Sequence, residues 1–165
     1  MQKGDYDHFV FSYHGLPERQ IRKGSVGDQC QLGSCCEAFH DRNRFCYRAQ
    51  CFQTTRLVAQ KLGIPKDKYT VCFQSRLGSD PWVKPYTEDV LKELAHSGRK
   101  KVLAFSPAFV SDCLETTIEV GEEYYEEFLE EGGEQWDLVP SLNVEPSWVE
   151  CLKKLVLSER KIVRV

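Results

Sequence analysis

The sequence predicts an α/β domain built on a four-stranded parallel sheet flanked by helices. Apolar runs rich in β-branched and aromatic residues alternate along the chain with amphipathic helical patterns. That alternation gives βαβ units, right-handed crossovers and a parallel sheet with helices on both faces. The run KKVLAFSP (100–107) is short and almost continuously apolar, as in a strand buried on both sides. Gly and Pro punctuate the pattern where helices should stop.

Taken in order, DHFVFSYH (7–14) reads as the first strand. RAQCFQTTRLVAQKLG (48–63) carries apolar residues at helical spacing, with Gly63 as a stop and Pro65 beyond it. KYTVCFQS (68–75) is the second strand. TEDVLKELAHSG (87–98) opens on a Thr N-cap and early acids and ends at Gly98. The third strand is 100–107, and residues 113–131 form a long acid-rich helix ended by Gly132 and Gly133. WDLVPSLN (136–143) is the last strand, and PSWVECLKKLVL (146–157) is the last helix, with Pro146 near its first turn. The stretch 18–47 fits neither pattern, and a loop of about 30 residues in a compact domain is usually functional or disordered. It reads as an insert over about residues 20–47.

At 165 residues the chain suits one domain, 1–165, burying about two thirds of its unfolded surface. With 41% hydrophobic and 28% charged residues it is globular rather than disordered. A net charge of −3 lacks the basic footprint of a nucleic-acid binder. MQKGDYDHFVF has neither an apolar core nor a cleavage site for a signal peptide, and no run approaches the roughly 18 apolar residues of a spanning helix. A cytosolic protein is expected, one that can still lie against a membrane surface. Of eight cysteines, Cys30, Cys35, Cys36, Cys46 and Cys51 fall within 22 positions. In a reducing compartment such clusters bind metal or do redox chemistry more often than they form disulfides. Cys72 and Cys151 have apolar neighbours and are expected to be small buried thiols.

FSYHGLPER (11–19) ends a run of strand formers with His14, then breaks the backbone at Gly15 and Pro17. That puts the imidazole at the sheet's carboxyl edge, where ligands bind in open α/β sheets. Glu115 and Glu119, four apart on one helix face, follow the third strand at the same edge, and Glu122, Glu123 and Glu126 continue that side. A charge run is ordinarily a solvated face. Facing a histidine, it becomes a constellation for metal handling or proton transfer. FQSRLGSDPWVKPYT (73–87) brings a stiff loop to that edge, and its Trp82 either plugs the sheet end or offers a flat apolar wall. Together these describe a cleft for a flat hydrophobic ligand, with a metal or proton event at its centre.

FSYHGLP (11–17), FQSRLGSDPWVKPYT (73–87), SPAFVSDCLET (106–116) and, more weakly, SLN (141–143) occur in that order. In these motifs the chain resembles the C-terminal half of ferrochelatase, the family that inserts ferrous iron into a porphyrin to make haem. The resemblance implies a three-layer chelatase-type domain, with the family's first domain absent and little catalysis by this half alone. It implies that His14 receives the metal or takes up pyrrole protons, that Glu115 lies opposite, and that Glu119 and Glu123 continue an acidic track. His14 and Glu115 would contact the iron substrate. Ser111 and Asp112 would stand beside the glutamate. Trp82, Tyr13, Gln74 and Ser75 would border the macrocycle. Cys113 stands where animal members place a second histidine, which leaves its role open.

Some members bind a 2Fe–2S cluster through four cysteines, certain bacterial ones in an internal segment. The resemblance thus implies Cys30, Cys35, Cys36 and Cys46 as ligands, with Cys51 as the alternate. Thiolates suit such clusters. Zinc is the rival, since four cysteines, or three with a histidine such as His40, also suit it. Two other functions stay open: a cobalt chelatase of an earlier tetrapyrrole, and an iron–sulfur or metal-sensing module without catalysis.

Overall fold

Four strands, β1 (His8–His14), β2 (Tyr69–Gln74), β3 (Lys101–Phe105) and β4 (Gln135–Leu138), pair in the order β2-β1-β3-β4. All three pairings are parallel. The computed structural model describes residues 5–25, 27 and 29–158. Alternation along β1 feeds two cores. Phe9, Phe11 and Tyr13 point to one face, with Val71, Phe73 and Leu103, and meet Cys51 and Ala59 of α2 (Tyr47–Leu62). Val10 points to the other, with Cys72, Val102, Ala104 and Trp136. It meets Leu91 and Leu94 of α3 (Thr87–His96), and Tyr124 and Phe128 of the helix after β3. Phe11 and Phe128 are fully buried, each stabilising the fold by about 1.5–3 kcal/mol. This is the expected α/β domain, a parallel sheet covered on both sides.

The register sets up the functional edge. His14 pairs with Gln74 of β2, but β3 stops opposite Phe11. The last three residues of β1 therefore project past β3, over the chain leaving it. α2 ends as expected at Gly63, in the left-handed region at φ 59°. Its N–H bonds Gln60 O at 3.1 Å, and Ile64 N–H bonds Ala59 O at 2.8 Å, closing the helix.

Several expectations are corrected. The helix expected over 113–131 is a π-helix at Glu115–Glu123 running into α4 (Tyr124–Glu130). Thr116, Thr117, Ile118, Val120 and Gly121 disfavour α winding, and π-turns gather at functional sites. β4 ends at Leu138 rather than 143. Val139 N–H makes one more ladder bond, to Ala104 O at 2.9 Å, and Pro140 then has no N–H to give. The stretch read as irregular contains α1 (Glu18–Lys23) and a 3-10 turn at Ser34–Cys36. Cys151 is exposed, not buried. It sits on α5 (Pro146–Leu157), which buries none of its residues, so an apolar sequence neighbourhood gave it nothing to pack against.

Candidate metal-handling cleft

The peptide between His14 and Gly15 is held from both sides. Its carbonyl accepts from the Tyr47 hydroxyl at 2.8 Å, and its N–H donates to Gln74 O at 2.8 Å. The imidazole Nδ1 lies 2.7 Å from Gly15 O. A carbonyl can only accept, so Nδ1 carries a proton, and of the two neutral tautomers the bond selects the one with its lone pair on Nε2. Gly15 is required by space: a Cβ there would lie 2.8 Å from Gln74 O and 3.1 Å from Trp82 Cε3. The Trp82 loop pairs with the same segment. Val83 N–H donates to Leu16 O at 3.0 Å and Glu18 N–H to Pro81 O at 2.9 Å. The half-exposed indole is pinned by its own N–H on Leu77 O at 2.9 Å. The Phe109 ring lies 6.1 Å from that of His14.

Across from the histidine, the π-helix lines up its acids. The Glu119 carboxylate takes the Ser75 N–H at 2.6 Å, the Ser75 hydroxyl, and the Tyr124 hydroxyl at 3.0 Å. Ser75 sits at φ 62°, a left-handed conformation uncommon for a side-chain residue. In it, the serine's N–H and hydroxyl converge on one carboxylate. Burial, then Glu119, pushes the Tyr124 phenol well above its ordinary range, so it stays a donor. The carboxyl of half-exposed Glu115 is held below the usual range by its own backbone N–H, then by Cys113, then by the charge of His14. Glu115, Glu119 and exposed Glu123 border an open depression of about 420 Å³ with Ser75, Arg76, Leu77, Leu114 and Ile118, three acids against one cation. Acids in an apolar rim suit a cation handled beside a flat apolar ligand.

Other expected site residues fall elsewhere. Gln74 is 1% exposed and bridges elements: Oε1 accepts from the Ser12 hydroxyl at 2.6 Å and Nε2 donates to Glu115 O at 3.0 Å. It supports the π-helix from beneath. Tyr13 is buried on the α2 face, with its hydroxyl 2.9 Å from that of Thr55, so period-two alternation turns it away from His14. Asp112 serves the SLN loop. Its carboxylate takes the Asn143 amide at 2.7 Å and the Ser141 N–H at 3.1 Å, and its N–H donates to Asn143 Oδ1 at 2.9 Å. Those bonds, the Asn143 amide foremost, hold its carboxyl below the usual range. Ser111 is exposed at the same turn.

The cysteine insert forms a small site of its own. Cys30, Cys35, Cys36 and Cys46 line one cavity of about 40 Å³ with Asn43 and His40. Cys51 does not line it; the thiol is buried on α2 against Tyr47 and pushed up to about 12 by burial. Buried Asn43 organises the loop, donating to Cys35 O at 2.9 Å and Ala38 O at 2.7 Å. Cys46 precedes the first residue of α2. The Cys36 thiol, the Ala49 and Arg48 N–H groups and the Arg48 charge together hold Cys46 well below the thiol range. Cys36, the donor in that pair, is raised. Burial raises Cys35, but the Gln31 and Gly33 N–H groups outweigh it and the net shift is downward. Burial raises Cys30 as well, so two of the four thiols, Cys35 and Cys46, are biased toward the thiolate that a soft metal or iron–sulfur site uses. As the side chains stand, no three His, Cys, Asp or Glu among the described residues converge on one point that could hold a metal ion.

Sequence reasoning missed Tyr47, Arg48, Asn43 and the Asp112–Asn143 clamp. The available signals were an Asn within the cysteine run and a Tyr-Arg pair directly after Cys46. No described helix is long and apolar enough to cross a membrane.

An imidazole with one nitrogen committed stands at the carboxyl edge of an open parallel sheet, and a run of carboxylates follows β3 at that same edge, which makes this an α/β domain with its candidate site where such sheets bind ligands. The chain belongs to the ferrochelatase family, whose model matches residues 1–160. It is 47% identical over 154 residues to the ferrochelatase of Pseudomonas putida (strain W619), covering 92% of this chain and 46% of the relative. For the ferrochelatase of Pseudomonas fluorescens (strain Pf0-1) the figures are 49% over 154 residues, 92% and 45%. For that of Legionella pneumophila (strain Lens) they are 43% over 152 residues, 92% and 45%. The chain therefore spans about half the length of the curated relatives it matches.

Proposed function

We propose that this chain is the C-terminal half of an enzyme that inserts ferrous iron into protoporphyrin or a related porphyrin, the last step of haem formation. The observation that supports it best is His14, its Nδ1 committed to Gly15 O, at the carboxyl edge of the sheet where Glu115 opens the π-helix after β3. Insertion breaks two pyrrole N–H bonds, forms four iron–nitrogen bonds and releases two protons. His14 Nε2 is the acceptor or metal contact at the centre. Glu115 receives hydrated iron or a proton beside it, and Glu119 and Glu123 carry negative charge onward toward solvent. Hard, weakly held oxygen ligands suit an ion that must leave again, where tight thiolate ligation would trap it. Leu77, Leu114 and Ile118 would offer an apolar surface to the macrocycle beside the acids, and Trp82, against Gly15 at the strand end, would supply a flat face next to His14. Holding the ring bent would raise its ground state by about 1–5 kcal/mol.

The proposal includes a 2Fe–2S cluster held by Cys30, Cys35, Cys36 and Cys46, supported by the cavity that the four share and by the shift of Cys35 and Cys46 toward thiolate. When bound, such a cluster would cross-link the insert and supply a one-electron redox centre.

Joined to the N-terminal half of one of the Pseudomonas relatives, the chain should convert protoporphyrin and ferrous iron to haem under anaerobic assay. Alone, with half the apolar wall missing, it should bind porphyrin weakly and not turn over. A folded joined protein that forms no haem overturns the reading.

A further inference from the structure

Three consecutive residues at the start of α2 face three different parts of the site. Cys46 lines the cysteine cavity. Tyr47, the next residue, sends its hydroxyl across 33 positions to the carbonyl of His14, while its side chain packs against the core cluster that contains Cys51. Arg48 is 7% exposed and works at both ends. Nη1 donates to Gly33 O in the cysteine loop at 3.0 Å, and Nη2 donates to Lys84 O in the Trp82 loop at 3.1 Å. Its guanidinium lies 4.5 Å over the Phe52 ring, which holds it in place. A change in the cavity that turns Cys46 must therefore move one contact to the histidine's backbone and another to the tryptophan loop.

The Tyr47 contact bears on chemistry as well as packing. The peptide it holds is bonded on its other side to Gln74 O, and the adjoining carbonyl, Gly15 O, is what keeps the proton on His14 Nδ1. Without the tyrosine bond the peptide can tilt, and Gly15 O can leave the ring plane. Both tautomers then become accessible, and Nε2 is no longer always the basic nitrogen.

We infer that Tyr47 is a positioning residue for His14 and that, with Arg48, it couples the cysteine cavity to the cleft. What His14 then does rests on the function proposed above; the coupling does not.

Imidazole nitrogen NMR spectra of the 165-residue chain at fixed pH test this without catalysis. Wild type should show the Nδ1–H form, and Tyr47→Phe should show a mixture of tautomers. Tyr6→Phe removes a hydroxyl bonded to Asp137, at 2.6 Å, on a different part of the sheet, and should leave the His14 spectrum unchanged. The Gly15 amide should exchange about fivefold faster in Tyr47→Phe, the net worth of one hydrogen bond. Cadmium ions alone, added as a thiol ligand, should move the His14 signals in wild type and fail to do so in Tyr47→Phe or in Cys46→Ser. An unchanged tautomer in Tyr47→Phe overturns the positioning role. A cadmium response that survives in Cys46→Ser, or that wild type lacks, overturns the coupling, and that comparison decides even if Tyr47→Phe does not fold. Because no reading uses turnover, failure of the proposed function and failure of this inference are separate results.

Discussion

Replacing Gly15 by alanine adds a single methyl group where the chain has left no room for one. The new carbon would meet Gln74 O at 2.8 Å and Trp82 Cε3 at 3.1 Å. The carbonyl cannot retreat without giving up the Gly15 N–H bond at 2.8 Å, and the indole is tethered to Leu77 O. Overpacking of this kind costs about 1–3 kcal/mol. For a chain of this size that lowers the melting temperature by about 2–12 °C. Gly24→Ala is the matched control: its nearest neighbours lie at 3.7 Å and its backbone is right-handed helical, so it should stay within about 0.5 kcal/mol of wild type. Thermal unfolding followed by circular dichroism separates the two. Equal melting of Gly15→Ala and Gly24→Ala would refute the claim that packing at the strand end dictates this glycine. In the joined protein, the same methyl should displace His14 and slow metal insertion, with Gly24→Ala unaffected.

His14→Ala should abolish most metal insertion by the joined protein, and Glu119→Ala should slow it less, because the ladder holds other acids; near-normal haem formation by the histidine variant would remove its central role. Glu119→Ala should also cost about 1–3 kcal/mol in urea unfolding, since it orphans the Tyr124 and Ser75 donors. Burial first, then Arg99 and Lys68, lowers the pKa of His8 to about 4, against about 6.5 in the unfolded chain. The stability tied to its neutral form is present above pH 6.5 and lost as pH falls toward 4, at most about 3 kcal/mol. The difference between wild type and His8→Gln in urea unfolding should shrink by about 2 kcal/mol from pH 7.5 to 5, and a pH-independent difference would refute it. Protein prepared without oxygen should carry the visible spectrum of a 2Fe–2S cluster, lost in Cys46→Ser and kept in Cys51→Ser; stoichiometric zinc in colourless protein would favour the rival site.

Strand order apart, the sheet was legible because period-two alternation and Gly or Pro stops are local signals: β1, β2 and β3 end within two residues of expectation. His14 at the carboxyl edge was legible for the same reason. The π-helix was not, because its acids repeat at a spacing that α winding also satisfies, and residues that disfavour α winding do not by themselves specify the wider turn that Gln74 and Ser75, at the end of β2, bond through the Glu115 carbonyl and Glu119. The burial of Gln74 and the pairing of Asp112 with Asn143 were likewise hidden, since each depends on a partner 29 or more positions away. Cys151 shows the converse failure: an apolar neighbourhood in sequence says nothing about what stands opposite in space.

The bond from His14 Nδ1 to Gly15 O makes the ring asymmetric in a way that matters for traffic. A histidine with two open nitrogens can pass a proton through itself, in at one face and out at the other. Here one nitrogen is sealed against a carbonyl that can accept a hydrogen bond but has no capacity to carry a proton away. The imidazole is therefore a terminus and not a wire: whatever proton reaches Nε2 must depart by the door through which it came. In the proposed insertion, onward movement would then fall to Glu115, Glu119 and Glu123, which line the open depression beside the π-helix and would set the direction of flow.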